Sequence, residues 1–588
     1  MAIAQPPIPV RETPAAESNQ PNPAFPDASN ERVLDMDQIQ GNIIPGFLKD
    51  FETLLFLKIT NPRQCKQWLK EITPSIATAQ EVFAFNRLFK KIRYRRGYEP
   101  EILKATWINI AFSFLGLRQL VQDADRFTDQ AFKDGLAARS QDLGDPTSND
   151  DEGNTNNWII GGPGNEADIL LIVQSDDMHD LQREVQHIKQ TIYNLSTGKK
   201  RIPSGVVLMH EEQGANLPGI LSGHEHFGFL DGVSQPGIRG RVSENAHDVL
   251  TPRQNPRDPD QGKPGQDLLW PGEFVFGYQH QDPAKEIKDP SDDDSSAGPE
   301  WAKNGSYLVF RRLRQDVGAF HTFLKNQAQQ LDVPAAFLGA KIIGRWPDGE
   351  PIMRDQQGGN QPMLGNDDCA NNDFEFVHQD PSLDPQNPSP SPPDELPPAG
   401  TSDQCHIPQD PNRSFTPSPG DPGAQICPFA GHIRKAYPRD DITPEGRAKN
   451  PQPGEESEAS EPATQTHRLL RRGLPYGKVS PSTFDDPVSD NVDRGLLFIA
   501  YQTSIERQFE FVTKSWVNNR DFSQQGAGFD LVIGQNNQGN HARMARISLH
   551  PQKNQTVQLQ ADEEWVIPTG GGYFFAPSIE ALDGTLSQ

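Results

Sequence analysis

An α+β protein with two sheet-and-helix layers is what this chain of 588 residues predicts, on three observations. A dense apolar run followed by a segment of helical period occurs four times, twice in each half of the chain. Within the helical segments the apolar residues recur at three- and four-residue steps, as at Leu181, Val185, Ile188 and Ile192. The polar excess gathers in particular stretches, so the remaining sequence can still build sizeable cores.

The first unit is TLLFLKIT (residues 53–60) followed by PRQCKQWLKEI (62–72). The second is ILLIVQ (169–174), followed by the helical segment 176–195. The third is YLVFRRL (307–313), followed by 315–331, and the fourth is LLFIAYQ (496–502), followed by SIERQFEFVTKSW (504–516). Runs this apolar fit strands covered on most of their faces, and four such units, two per half, predict layers of the β-α-β-β-α-β kind. A further strand candidate, GVVLM at 205–209, precedes a Gly-rich stretch, which places a domain boundary near residue 215. The predicted organisation is therefore a Pro-rich disordered tail over 1–32, one domain over 33–215 and a second over 216–588. The second carries irregular Pro- and Asp-rich insertions at about 367–425 and 442–466, because such segments cannot bury enough apolar surface to offset their ordering entropy. Between them, residues 425–441 read as an ordered island.

With 55 Lys and Arg against 80 Asp and Glu, the formal charge is −25. A nucleic-acid binder needs a basic face, and an anionic membrane needs the same, so neither partner is expected. No run approaches the ~20 apolar residues of a spanning helix. The first thirty residues show neither a basic n-region nor an apolar h-region, so a cytoplasmic protein is expected. Four cysteines (Cys65, Cys369, Cys405 and Cys427) form no C-x-x-C pair and read as free thiols.

Three blocks carry candidate chemistry. In GHEHFGFLDGVSQPGI (223–238), glycines around Asp231 permit close approach to a flat ligand. Its aromatic and aliphatic neighbours are expected to desolvate the carboxylate and raise its pKa, which suits proton shuttling. Taken alone, a Gly-Asp-Gly stretch is also what a turn needs. His224 and His226 have no third ligand nearby. In CPFAGHIRKAYPRDD (427–441), His432 sits beside Arg434, Lys435 and Arg439; imidazole is a good iron ligand, and the cations could pair with the carboxylates of an anionic cofactor. In HRLLRRGLPYGK (467–478), Arg471 and Arg472 lie among apolar residues, and arginine keeps its charge in any pocket.

Together, in this order and followed by RGLLFIAYQ (494–502), these blocks resemble the dye-decolourising peroxidases, and most closely their longer members with loop insertions. The resemblance runs from QGNIIPGF (40–47) to GGYFFAPS (571–578). It implies a pair of ferredoxin-like domains, a haem b cofactor held mostly by the C-terminal domain, and His432 as axial ligand of the iron. Asp231 and Arg471 match the distal acid–arginine pair, and Leu496 and Phe498 match apolar residues of the distal face. Asp530, in GFDLVIG (528–534), resembles the acid bonded to the axial histidine, and Arg434 and Arg439 are candidates for the haem carboxylates.

The implied activity is reduction of hydrogen peroxide and oxidation of dyes, phenolics or similar small-molecule donors through a ferryl porphyrin-radical intermediate, with a homo-oligomer allowed. The alternatives from other classes are a haem-binding or haem-transfer protein on the same scaffold, and a protein whose tail or insertion docks to a partner. Because bulky dyes would not reach a haem walled by Leu496 and Phe498, surface relay residues are expected, with Trp516 and Tyr501 as candidates.

Overall fold

The computed structural model describes the chain apart from residues 1–27, 99, 194–203, 256–257, 359–364, 366, 368–369, 373, 375, 378–419, 445–460, 537–540 and 551–554. Strands β1 (Phe51–Ile59), β2 (Thr106–Phe112), β3 (Ile169–Ser175) and β4 (Val206–Ala215) pair antiparallel in the order β4-β1-β3-β2. Strands β5 (Ser306–Gln315), β6 (Leu474–Tyr476), β7 (Gly495–Gln502) and β8 (Val566–Ala576) pair antiparallel as β6-β7-β5-β8. Each set is the strand order of a ferredoxin-like layer, 4-1-3-2 in the first half and its mirror listing, 2-3-1-4, in the second. Single pairings, Tyr476 with Gly214 and Phe575 with Phe112, join the two sets and close the eight strands into a ring.

Alternation along the strands explains the packing. Leu54, Phe56, Leu170, Ile172, Leu308, Phe310, Leu497 and Ile499 share one buried core. Within it the Phe56 and Phe310 rings lie 5.1 Å apart although β1 and β5 are not neighbours, so this core fills the inside of the ring. Leu55, Leu57, Leu171 and Val173 point outward and are covered by helices. Helix α1 (Pro62–Ile72) starts with Asn61 capping the Gln64 N–H and Pro62 in the first turn, and buries Cys65, Trp68, Leu69 and Ile72. Helix α2 (Ala79–Arg96) follows it, and helix α3 (Met178–Tyr193) buries the four apolar residues whose spacing predicted it. Each such side chain contributes roughly 1.5–3 kcal/mol.

In the second half, helix α4 (Val317–Leu331) and the very apolar α5 (Ala335–Ile343) pack against a hairpin, Arg543–His550 with Gln555–Ala561, which sequence periodicity did not single out. The segment after β7 is helical but wound wide over Ile505–Phe509 and Val512–Val517, with the Asn518 N–H bonding the Thr513 carbonyl five residues back. Such π-type turns are frequent at functional sites. The connection between α5 and β6 is the longest excursion from the barrel and carries the five-residue helix α6 (His432–Ala436).

Two expectations are corrected. Residues 28–32, placed in the tail by composition, belong to the fold: Ala28 is buried, and Glu31 is buried against Arg239 and Arg253. The start of the first insertion is also packed, with Asn372, Phe374 and Phe376 all buried. The tail over 1–27 and the insertions over 378–419 and 445–460 lie outside the described residues. Among the described residues, no helix is long and apolar enough to cross a membrane.

Candidate active site

Asp231 ends a small hairpin that begins at Gly223. Its amide bonds the Gly223 carbonyl (2.9 Å), and the buried carboxylate of Glu225 spans the loop, accepting from the amides of Phe227 (2.7 Å) and Phe229 (3.0 Å). Burial pushes Glu225 up to about 7. Two histidines tie the hairpin to the scaffold: His226 Nε2 meets the Tyr476 carbonyl (2.8 Å), and His321 Nε2 meets the Phe227 carbonyl (3.0 Å). His226 is lowered to about 4 by burial, and His224 turns to the Ser222 carbonyl. Of the H-x-H pair, His226 is therefore the brace.

Arg471 sits on a two-residue strand paired with β7 opposite Ala500. Gln235 grips its backbone in both directions, accepting from its amide and donating to its carbonyl, each at 3.2 Å. Behind it, Arg472 donates to the carbonyls of Asn42, Ile43 and Pro45 in the loop that leads into β1. The Arg471 guanidinium reaches forward, with Nη1 3.0 Å from Asp231 Oδ1 and Nη2 3.2 Å from the Ser234 carbonyl.

His432 opens helix α6, and its Nδ1 lies 2.7 Å from Asp530 Oδ2. The other Asp530 oxygen accepts from the amides of Val532 (2.8 Å) and Ile533 (3.1 Å). Burial alone would raise this carboxyl; the imidazole and the two amides outweigh it and hold Asp530 below the usual carboxylate range. With Nδ1 committed, Nε2 is the nitrogen available to a ligand.

Asp231, Arg471 and His432 come together. His432 and Arg471 both act electrostatically on Asp231. The side chains keep 37%, 29% and 27% of their surface, so all three remain accessible. Leu496 and Phe498 are half-buried and alternate with fully buried Leu497 and Ile499, so they share one face of β7.

The expected rise in the Asp231 pKa is overturned. Burial does push upward, but the Arg471 charge and the Gly232 amide (2.6 Å) outweigh it, and the carboxyl lies below its ordinary value. Arg434 is likewise corrected as a candidate for haem carboxylates. All five of its N–H groups are taken, by both oxygens of Asp441 (2.6 Å each), Asp421 Oδ2 (3.3 Å), and the Asp421 and Cys427 carbonyls. Trp516 and Tyr501 have no exposed surface, so neither is a surface relay. Trp516 stacks on Phe522 (5.4 Å), and Tyr501 accepts from Asn42 and Asn109 inside the barrel.

Arg439 lies beside the site, sharing Ser234 and Asn372 with Arg345, which sequence reading missed because it follows an apolar helix with no motif around it. Both are buried, and among the described residues neither has a carboxylate at ion-pair distance. Arg439 Nε is buried without any hydrogen-bond partner. Burial lowers both cations; the charges of Arg439 and Arg471 help bring Arg345 to about 9, and that of Arg468 adds to the lowering of Arg439. Two uncompensated buried cations, a carboxylate-backed imidazole and an apolar wall are a donor set that fits an iron porphyrin with two carboxylates.

Comparison with known proteins agrees. Residues 38–204 match the family model described as the DyP dimeric alpha+beta barrel domain, and 455–527 match the Dyp-type peroxidase C-terminal model. The chain is 30% identical to the dye-decolorizing peroxidase msp1 of Mycetinis scorodonius, over 99% of this chain and 91% of the relative. It is 30% identical to the dye-decolorizing peroxidase of Mycena epipterygia, over 95% and 90%. Among solved structures, an ancestral D-type dye decolorizing peroxidase superposes with a TM-score of 0.69 at 30% identity, covering 95% of this chain and all of that one. The decolorizing peroxidase of Auricularia auricula-judae gives 0.65 at 25%, covering 94% and 100%. A storage or transfer role is thereby set aside: the chain belongs to the dye-decolourising peroxidase family and is a haem-dependent peroxidase.

Proposed function

We propose that the cofactor is haem b, that His432 would hold its iron, and that Asp231 and Arg471 are the catalytic residues. The observation that carries this is the 3.0 Å contact between Arg471 and Asp231, within electrostatic reach of a histidine whose second nitrogen is free. Bound there, haem supplies an iron on which hydrogen peroxide is reduced by two electrons, later restored one at a time by small-molecule donors.

The protein side follows from the residues. Asp231 stays ionised well into the acid range, so it can take the proton from the inner peroxide oxygen and deliver it to the outer one, which leaves as water. Arg471 stabilises the negative charge that develops on that leaving oxygen. Asp530 holds His432 in one tautomer and orientation and raises the basicity of Nε2. Arg439 and Arg345 are the candidates for the haem carboxylates, and Leu496 and Phe498 keep the distal face apolar. Because the base is a carboxylate held low, peroxide-dependent dye oxidation is expected to be fastest on the acid side of neutrality.

The test is the absorption spectrum of the purified protein before and after adding peroxide. A ferric haem Soret band that shifts on peroxide addition and returns with an electron donor is expected. His432→Ala should weaken the band or change its position, and an unchanged spectrum in that variant would overturn the ligand assignment.

A further inference from the structure

The two buried guanidiniums, Arg345 and Arg439, do not stand at an arbitrary spacing. One side-chain oxygen, Asn372 Oδ1, accepts from Nη2 of both, at 3.2 Å each, and from the Ser234 hydroxyl at 2.6 Å. The Ser234 hydroxyl in turn accepts from Arg345 (2.9 Å) and Arg439 (3.3 Å), while its carbonyl accepts from Arg471. The Asn372 amide is fixed by donating to the Gly265 carbonyl (2.6 Å). Between the cations stands the Phe374 ring, 4.8 Å from the Arg345 guanidinium and 4.6 Å from that of Arg439. Both residues are buried, and both belong to the insertion that composition alone assigns to irregular chain.

A neutral amide and an aromatic face are what can hold two like charges together without neutralising them. A carboxylate at 372 would pair with the cations and offset one of their two charges, and an aliphatic residue at 374 would forgo the cation–π attraction to both. We infer that Asn372 and Phe374 are positioning residues that keep Arg345 and Arg439 paired and charged for the two carboxylates of the cofactor, so the first residues of the insertion are part of the cofactor site. This rests on the haem reading above.

The experiment compares how fast full-length holoprotein loses hemin, and separately hemin dimethyl ester, to an excess of apomyoglobin. The ester has the same iron and ring but no carboxylate charge. Asn372→Asp should release hemin at least tenfold faster than the wild type while releasing the ester at the wild-type rate. Phe374→Leu should show the same split, several-fold in size, and keeps the test open if the first variant does not fold. Equal acceleration for both porphyrins would mean that the two residues only support the fold, and no acceleration for either would mean that they play no part; each result overturns the inference. A wild-type chain that takes up neither porphyrin would instead overturn the haem reading itself.

Discussion

The two walls of the site are built by opposite means. On the His432 side Arg434, Lys435, Lys341 and Asp530 are all enclosed and hydrogen-bonded. Arg434 spends five N–H groups on two buried aspartates and two carbonyls, and Lys435 and Lys341 bury their ammonium groups against pairs of backbone carbonyls. Asp530 is fully enclosed. On the Asp231 side, the acid and arginine share a single side-chain contact and keep accessible surface, while Gln235, His226 and His321, with Glu225 and Arg472 behind them, do the bracing. The contrast separates holding from reacting. A ligand to a metal gains from rigidity, whereas a proton carrier must remain able to exchange partners.

The sharpest way to break this contrast is Arg434→Leu. It strands the carboxylates of Asp421 and Asp441 in the interior, and breaking a buried pair from one side costs ~3–5 kcal/mol, so a large fall in the denaturation midpoint is expected. Arg471→Leu should do the reverse. Stability should change by only ~1 kcal/mol or less, because the ion pair is partly accessible, while kcat/KM for peroxide should fall by about 100–1000-fold. The sign of its pH effect also follows. Arg471 is the main charge holding the Asp231 pKa down against burial, so without it the carboxyl binds a proton at higher pH. The acid limb of the rate profile should therefore move toward neutrality, and an unmoved limb would remove Asp231 from the base role.

A smaller effect is expected for Gln235→Leu, which leaves both charges in place but frees the Arg471 backbone: about a tenfold loss in kcat/KM for peroxide with little change in KM for dyes. The smallest concerns Trp516→Phe. Because Trp516 does not reach the surface, turnover of bulky dyes and of small phenols should fall by the same factor, if at all; a selective loss for bulky dyes would restore it as part of a relay.

Most of the fold was legible because it rests on local patterns. The strands of all four units alternate or run apolar as read, and the α1 and α3 segments bury the residues their periodicity marks. Less legible was whatever depends on long-range partners. Glycine-flanked Asp231 looked like a carboxyl raised by its apolar neighbours, because the guanidinium that lowers it stands 240 positions away. Arg434 and Arg439, five residues apart and alike in sequence, part company because Asp441 and Asp421 fold onto one and not onto the other. Arg345, Asn372 and Phe374 carry no local signature, since their meaning lies in their meeting.

The backing of Arg471 by Arg472 has a consequence for the half of the molecule that holds no reactive group. Gly46, in the loop whose carbonyls Arg472 binds, has φ of +100°, and a Cβ there would lie 2.5 Å from Arg472 Nε. Even an alanine at that position would strain the backbone and collide with the second guanidinium, so one or the other must shift. A lesion more than four hundred positions upstream would thus be felt at the guanidinium that grips the Arg471 carbonyl.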